Sequence, residues 1–200
     1  MIVYDTNLWK SDIDRVLEIL PELDQMAGKS ILITGATGLI CSSVVDILFR
    51  YNDTHEKKIQ ILAAGRWHKE MYGRFNDMVD RDDFTFVAYD ASKTNNYLDI
   101  HADYIIHSAS NASPDMIVKK PVETMLSNFL GMKYLLDYAK ESGATRILYI
   151  SSSEVYGAKP GDEPYKEGEY GHIDLLQSRN SYSIGKCAAE TMCVSYADES

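Results

Sequence analysis

The chain has 200 residues, 45% of them hydrophobic, and a formal net charge of −10. That length and composition suit one domain with a sizeable core, and an acidic chain without a basic stripe excludes a general nucleic-acid surface. Its three cysteines, Cys41, Cys187 and Cys193, lack the spacing of a disulfide framework or zinc site, and its five histidines are scattered, so no metal centre is expected.

The first ten residues carry charges and no continuous apolar stretch, so no signal peptide is expected. No apolar run approaches the roughly 20 residues that span a bilayer. Together with unpaired cysteines, this predicts a soluble, cytoplasmic protein without a membrane partner. Residues 1–28 read as an N-terminal helical extension. Within it, 11–26 is expected to be an amphipathic helix with Ile13, Val16, Leu17 and Leu20 on one face, broken or kinked at Pro21. It would cover an edge or contact another subunit.

From residue 29 to 200, strands alternate with helical patterns, the signature of an α/β fold with a parallel sheet and crossover helices. The first strand, Ser30–Thr34, runs into Gly35-Ala-Thr-Gly38-Leu-Ile-Cys41 and a helical run through Phe49. Glycines there either make a plain tight turn or let the backbone approach a pyrophosphate on a helix N-terminus. Their place between strand and helix favours the second reading. Cys41 stands where the third glycine of the pattern is usual, a position that serves close helix–strand packing. The second strand, Lys58–Ala64, ends where an acidic residue is expected to hold the adenosine ribose, yet Gly65-Arg66 follows, with Lys69 nearby. Arg66 is either a guanidinium that favours a 2′-phosphate, hence NADP, or a solvated side chain past the strand.

A third strand, Phe84–Tyr89, ends in Asp90, and a fourth, Tyr104–His107, leads into the small-residue loop Ser108–Pro114. His107 reads as a satisfied, half-buried histidine. The helix around 122–141 carries Met125, Phe129, Met132, Leu135, Leu136 and Ala139, which read as core. The fifth strand, Arg146–Ile150, delivers Ser151-Ser-Ser-Glu-Val-Tyr-Gly157. Residues 157–180 read as a loop over the site. Cys187 and Cys193, on the last helix, read as packing residues. On that helix, Tyr182-Ser-Ile-Gly-Lys186 places a phenol and an ammonium four residues apart on one face. A nearby cation favours the ionised form of a phenol, whose free pKa is about 10. With a serine to hold the substrate oxygen, a Tyr–Lys pair can move a proton while a hydride leaves carbon, which is redox chemistry at an alcohol.

Thr34-Gly-Ala-Thr-Gly38, Asp90, His107-Ser-Ala109, Asn128, Ser151-Ser-Ser-Glu-Val-Tyr-Gly157 and Tyr182…Lys186, in this order, resemble the extended short-chain dehydrogenase/reductase family of nucleotide-sugar epimerases and dehydratases. From His107 onward the chain looks closest to UDP-glucuronate decarboxylases, on His107–Pro114, Ser153-Glu154, Tyr170-Gly-His172, Arg179, Gly185-Lys186 and Ala189–Cys193. The resemblance implies a Rossmann-like doubly wound parallel sheet and bound NAD or NADP. It puts Gly35, Thr37, Gly38, Leu39 and Ile40 under the pyrophosphate, Asp90 and Ala91 by the adenine, and Ala109 and Ser110 near the cofactor; Gly65-Arg66 departs from the acidic residue usual in NAD-using relatives. Tyr182 is implied as catalytic base, Lys186 as its partner and a ribose ligand, and Ser152 as the ligand of the sugar 4-hydroxyl. Ser153 and Glu154 would assist a second step. The implied chemistry is transient oxidation at C4, then loss of a C5 carboxylate or of the C6 hydroxyl; a 4-epimerase is the alternative. Relatives pair through the Tyr–Lys helix and the one before it, so a homodimer through 122–141 and 180–197 is expected. Five strands without a following substrate domain read as the front part of a larger enzyme; a third reading is a truncated member that binds nucleotide without turnover.

Overall fold

The computed structural model describes residue 4 and residues 6–199. The remaining positions, 1–3, 5 and 200, lie outside it, and with them part of the stretch read for a signal peptide and the last residue of the 29–200 domain. Five strands form one sheet, β1 Ser30–Thr34, β2 Gln60–Gly65, β3 Phe84–Ala88, β4 Tyr104–His107 and β5 Arg146–Tyr149, in the order β3-β2-β1-β4-β5. β1 pairs in parallel with β2, Ile31 opposite Ile61, and with β4, Thr34 opposite His107; β2 pairs in parallel with β3. Parallel neighbours need crossovers, and α2 Leu39–Thr54 and α3 His68–Phe75 supply them after β1 and β2. This is the Rossmann-like doubly wound arrangement expected. Ile31, Leu32, Ile33 and Thr34 are all buried, as befits a central strand covered on both faces.

The chain divides into two compact units that interleave along the sequence. The first holds residues up to Tyr89, Tyr97–Ser108 and Tyr138–Leu148; the second holds Asp90–Asn96, Ala109–Asp137 and Tyr149 onward.

Phe49 of α2 centres the core of the first unit, edge-on to Tyr4 and Phe75 at 6.0 Å and tilted against Phe84 at 5.4 Å. The N-terminal extension lies along α2. Its helix α1, Asn7–Ile19, is capped by the Thr6 hydroxyl, which accepts from the Trp9 N–H. Trp9 Nε1 donates to Asp46 at 2.8 Å, and Arg50 donates to Asp14 at 2.6 Å and 3.0 Å. The helix expected over 11–26 is broken at Pro21, the first of the two outcomes expected there: α1 ends at Ile19 and a 3-10 helix begins at Pro21. Proline lacks the N–H an α-helix needs and excludes the residue before it from the α region. Leu20, expected on the buried face, is exposed there, and of the four apolar positions only Ile13 is fully buried.

His107 differs from its reading in the same unit: it is fully buried, because β4 is an interior strand. Its Nδ1 lies 2.7 Å from the Thr34 hydroxyl, whose oxygen also accepts from the Ser108 N–H at 3.2 Å. At the other end of the sheet, Asp103 receives the Ser30 N–H at 2.8 Å, the Ser30 hydroxyl at 2.9 Å and the Lys29 ammonium at 3.2 Å.

In the second unit, α4 Pro114–Lys119 precedes α5 Pro121–Ser142, whose first seventeen residues belong there, and α6 is Ser181–Asp198. The helices α5 and α6 meet at Gly185, where an added Cβ would stand 3.2 Å from the Asn128 Cβ. Residues 157–180 are largely irregular, as expected, but pinned: Ala158 and His172 exchange backbone hydrogen bonds of 2.9 Å and 2.8 Å, and the Tyr165 hydroxyl donates to the Gly157 carbonyl at 2.6 Å. Among the described residues, no helix is long and apolar enough to cross a membrane.

Asp103 makes stability depend on pH. Burial pushes its carboxyl up, but the Ser30 donors and the Lys29 ammonium outweigh that and hold it at about 2. A depressed carboxyl stabilises the fold above its unfolded value near 4 and loses that contribution as pH falls towards 2. Asp103→Asn is expected to cost about 2 kcal/mol at neutral pH and far less near pH 2.5. Urea unfolding of both proteins at the two pH values checks it; an equal cost at both would overturn the assignment.

Candidate active site

The glycine turn belongs to the first unit. Gly35 has φ +67° and its N–H donates to the Ala64 carbonyl at 3.1 Å, while the Gly38 N–H donates to the Gly35 carbonyl at 2.9 Å. A side chain at Gly38 would bring a Cβ to 3.1 Å from the Gly35 oxygen. Gly38 is also the N-cap of α2, and no side chain caps that helix. The first-turn N–H groups of α2 are therefore left for an anion, at the end that carries partial positive charge. Leu39 is 90% exposed and Ile40 59% exposed, unusual for apolar residues opening a packed helix. Thr37 is half-buried in the turn, whereas Ala36 is buried. Cys41 packs fully buried in the first turn of α2; burial pushes its thiol up, against a hydrogen bond with Ser108. Arg66 lies exposed at the end of β2. These residues fit a dinucleotide pyrophosphate: the backbone is bare where a phosphate would approach, and the donors are in place.

The remaining predicted residues belong to the second unit. Asp90 sits in its own turn, one carboxylate oxygen accepting from the Ser92 N–H at 3.0 Å and hydroxyl at 2.7 Å, with Ala91 buried beside it. Asn96 clamps the Asp90 backbone from both sides at 2.9 Å. The Ser110 hydroxyl accepts from Asn128 Nδ2 at 2.9 Å, and Asn128 Oδ1 accepts from the Tyr149 hydroxyl at 3.1 Å. Ala109, also in this unit, has an intermediate exposure.

Tyr182 and Lys186 come together on α6, 8% and 3% exposed. Lys186 donates to the Ile150 carbonyl, one residue past β5, at 2.6 Å, and its ammonium lies 4.6 Å from the Tyr149 ring centre and 5.6 Å from that of Tyr182. Burial pulls the Lys186 ammonium down to about 8, whereas burial and the neighbouring Tyr182 push the Tyr149 phenol well above its ordinary range. The close approach at Gly185 fixes this turn of α6 against α5, so the pair is set by helix packing as well as by its own contacts.

Ser152 caps the 3-10 helix Ser153–Tyr156, its oxygen accepting the Glu154 N–H at 3.2 Å. A hydroxyl that accepts in this way can still donate its proton. Ser153 is exposed. The Glu154 carboxylate accepts both Nη groups of Arg179 at 2.7 Å and 2.9 Å, and the Ser183 hydroxyl at 2.7 Å. Hydrogen bonds from Arg179 hold its carboxyl below the usual range against partial burial. Glu154, Arg179 and Ser183 line a cleft of about 410 Å³ with His172, Gln177 and Asn180.

Sequence reasoning gave no role to Ser183, Tyr149 or the Arg179 pairing. Arg179 stands three residues before Tyr182 and Ser183 one after it, which is the only signal that could have drawn attention to them. Among the described residues, no group of three or more His, Cys, Asp or Glu side chains is placed to hold a metal ion.

Residues 31–200 match the NAD dependent epimerase/dehydratase family. The chain is 33% identical over 180 residues to UDP-glucuronic acid decarboxylase 1 of Danio rerio, covering 90% of this chain and 40% of that protein. A UDP-N-acetylglucosamine 4-epimerase from Methanobrevibacter ruminantium M1 superimposes with a TM-score of 0.67 at 22% identity, over 86% of this chain and 52% of the other. A dTDP-glucose 4,6-dehydratase from Bacillus anthracis str. Ames, solved with NAD, gives 0.64 at 18% identity, over 86% and 51%. At such identities the two structures share the fold, and the chain spans about 40% of the length of the curated relative. The match over residues 31–200, most of the chain, places it in the NAD dependent epimerase/dehydratase family.

Proposed function

We propose that the chain forms the cofactor-binding and proton-transferring part of a nucleotide-sugar enzyme that oxidises the sugar C4 hydroxyl transiently and then decarboxylates the sugar; the name of the relative UDP-glucuronic acid decarboxylase supports the decarboxylation. The observation that carries this reading is the Lys186 ammonium, desolvated, bonded to the Ile150 carbonyl and facing the Tyr182 ring. Bound NAD or NADP would lie with its pyrophosphate on Gly35–Ile40 and would accept the C4 hydride and return it. Arg66, Asp90, Ala91, Ala109 and Ser110 are the further residues proposed to line it, and Arg66 bears on the choice between the two cofactors.

In this reading Ser152 holds the 4-hydroxyl and Tyr182 takes its proton. The positive charge of Lys186 offsets the negative charge that the departing proton leaves on the phenol, and a half-dry setting strengthens the effect. Ser153 and Glu154 are proposed for the second step, which a ketone at C4 makes possible by weakening the bonds at its neighbours. Elimination of the C6 hydroxyl, as in a 4,6-dehydratase, would draw on the same groups. A 4-epimerase is the second reading. The closed Glu154–Arg179 pair favours it, because epimerisation asks nothing of a third acid–base group.

The complete enzyme is also proposed to be a homodimer joined through α5 and α6. Val122, Phe129 and Val194 on these helices leave large apolar side chains exposed, and a second copy would cover them.

Three outcomes are expected. Denaturing the purified chain releases NAD or NADP, identified by chromatography with mass detection, and Tyr182→Phe retains it while abolishing turnover in the complete enzyme. A chain that is empty and refuses added nucleotide would end the cofactor reading. The Lys186 ammonium carries its proton below about pH 8 and loses it above, read from the Cε resonance of labelled lysine; titration near pH 10.5 would show it solvated instead. Sedimentation shows a dimer at micromolar concentration, and Phe129→Glu with Val194→Glu returns it to monomer; monomer alone for the unaltered chain would sink the proposed interface.

A further inference from the structure

The cleft beside Glu154 holds a carboxylate already, and that carboxylate comes from the protein. Arg179 grips Glu154 through both Nη groups, and Ser183 adds a third hydrogen bond. Both side chains of the ion pair remain more than a third exposed, so the pair is accessible from the cleft and contributes little to stability. A guanidinium presents five N–H donors in a planar fork that matches a carboxylate, and only two are spent on Glu154. Exchanging one carboxylate for another on the same fork conserves both the charge pairing and the number of hydrogen bonds. The Ser183 hydroxyl is a second donor to Glu154, separate from the guanidinium. The cleft volume of about 410 Å³ is ample for a sugar ring.

We propose that Arg179 determines substrate specificity by taking the carboxylate of a uronate sugar, with Glu154 as the occupant it gives up. The inference rests on the nucleotide-sugar reading and narrows its substrate to sugars that carry a carboxylate. A neutral hexose has nothing to offer the guanidinium, and the pair stays closed. Uronate binding also changes Glu154: a carboxylate that loses its cation and gains an anionic neighbour binds a proton more readily. Should the C5–C6 bond then break, its electron pair moving towards the C4 ketone oxygen as carbon dioxide leaves, the guanidinium loses its ligand's charge. Glu154 is in place to pair with it again.

Other ionisable groups face this pair. His172 and Asp174 line the cleft, and Tyr182 of α6 acts on Arg179. The titration must therefore be read at Glu154 itself. Carboxyl-labelled glutamate in the 200-residue chain, with Glu154→Gln to assign the signal, gives that reading by NMR. UDP-glucuronate is expected to raise the Glu154 titration midpoint by about one pH unit or more, and UDP-glucose to leave it unchanged. Arg179→Gln should raise the midpoint without ligand and abolish the response; Arg179→Lys, which keeps the charge without the fork, should weaken it. If both nucleotides perturb the amide spectrum alike while the Glu154 midpoint stays put, the inference is overturned and the nucleotide-sugar reading survives. If neither nucleotide binds but free D-glucuronate shifts Glu154 and D-glucose does not, the carboxylate site stands and the nucleotide-sugar reading falls. Indifference of Glu154 to every carboxylate offered overturns the inference outright.

Discussion

The arrangement of the second unit depends on one buried ammonium. Lys186 is almost wholly removed from water, and a desolvated cation needs compensation. It finds a full carbonyl at Ile150 and the electron-rich faces of two tyrosines, and among the described residues no carboxylate is bonded to it. A carboxylate in hydrogen-bond contact would have neutralised the charge locally and fixed it in an ion pair. Dipoles and ring faces instead leave a net positive charge that can respond to negative charge arising nearby. The Asn128 amide supports this setting, since it accepts from Tyr149 on one side and donates to Ser110 and the Thr124 carbonyl on the other. Every polar atom of that side chain has a task, which fixes its orientation and, through Tyr149, one of the two rings.

Two contrasting electrostatic designs thus sit within a short stretch of α6 and the turn before it. Lys186 faces dipoles, while Arg179 faces a carboxylate in ideal fork geometry. The first is buried and poised; the second is half-solvated and exchangeable. Their separation follows from the helix: Ser183 lies beside Tyr182 in sequence but its hydroxyl reaches Glu154, whereas Lys186 reaches back to Ile150.

Strands β1 and β4 were legible to the residue, because short apolar runs bounded by glycine, serine or aspartate leave little choice of boundary. The Tyr–Lys helix was legible for a different reason, its four-residue spacing on one face. Pro21 announced the break after Ile19, but nothing local said that the following residues would tighten into a 3-10 helix. The burial of His107 was underestimated because burial of a strand end depends on which strands flank it, and that is a property of the sheet order. Glu154 was legible as a residue of interest, yet its partner was not: a long-range ion pair leaves no periodicity or composition for a reader to find. The same holds for the Lys186–Ile150 contact, since a backbone carbonyl has no sequence identity.

Gly185 carries a consequence for how this chain can change over time. With no side chain to interpose, the crossing of α5 and α6 is held at the separation that a hydrogen atom permits, and Asn128 stands directly opposite. A side chain at this position would require Asn128 to give by a few tenths of an ångström, and the turn of α6 affected is the one that carries Tyr182 and Lys186. Exposed positions of α6 outside the proposed subunit contact, such as Glu190, have no such veto. A collection of variants selected for stability alone would therefore leave the outer face of α6 diverse. Selection for turnover should add one further fixed column, at a residue that has no functional group at all.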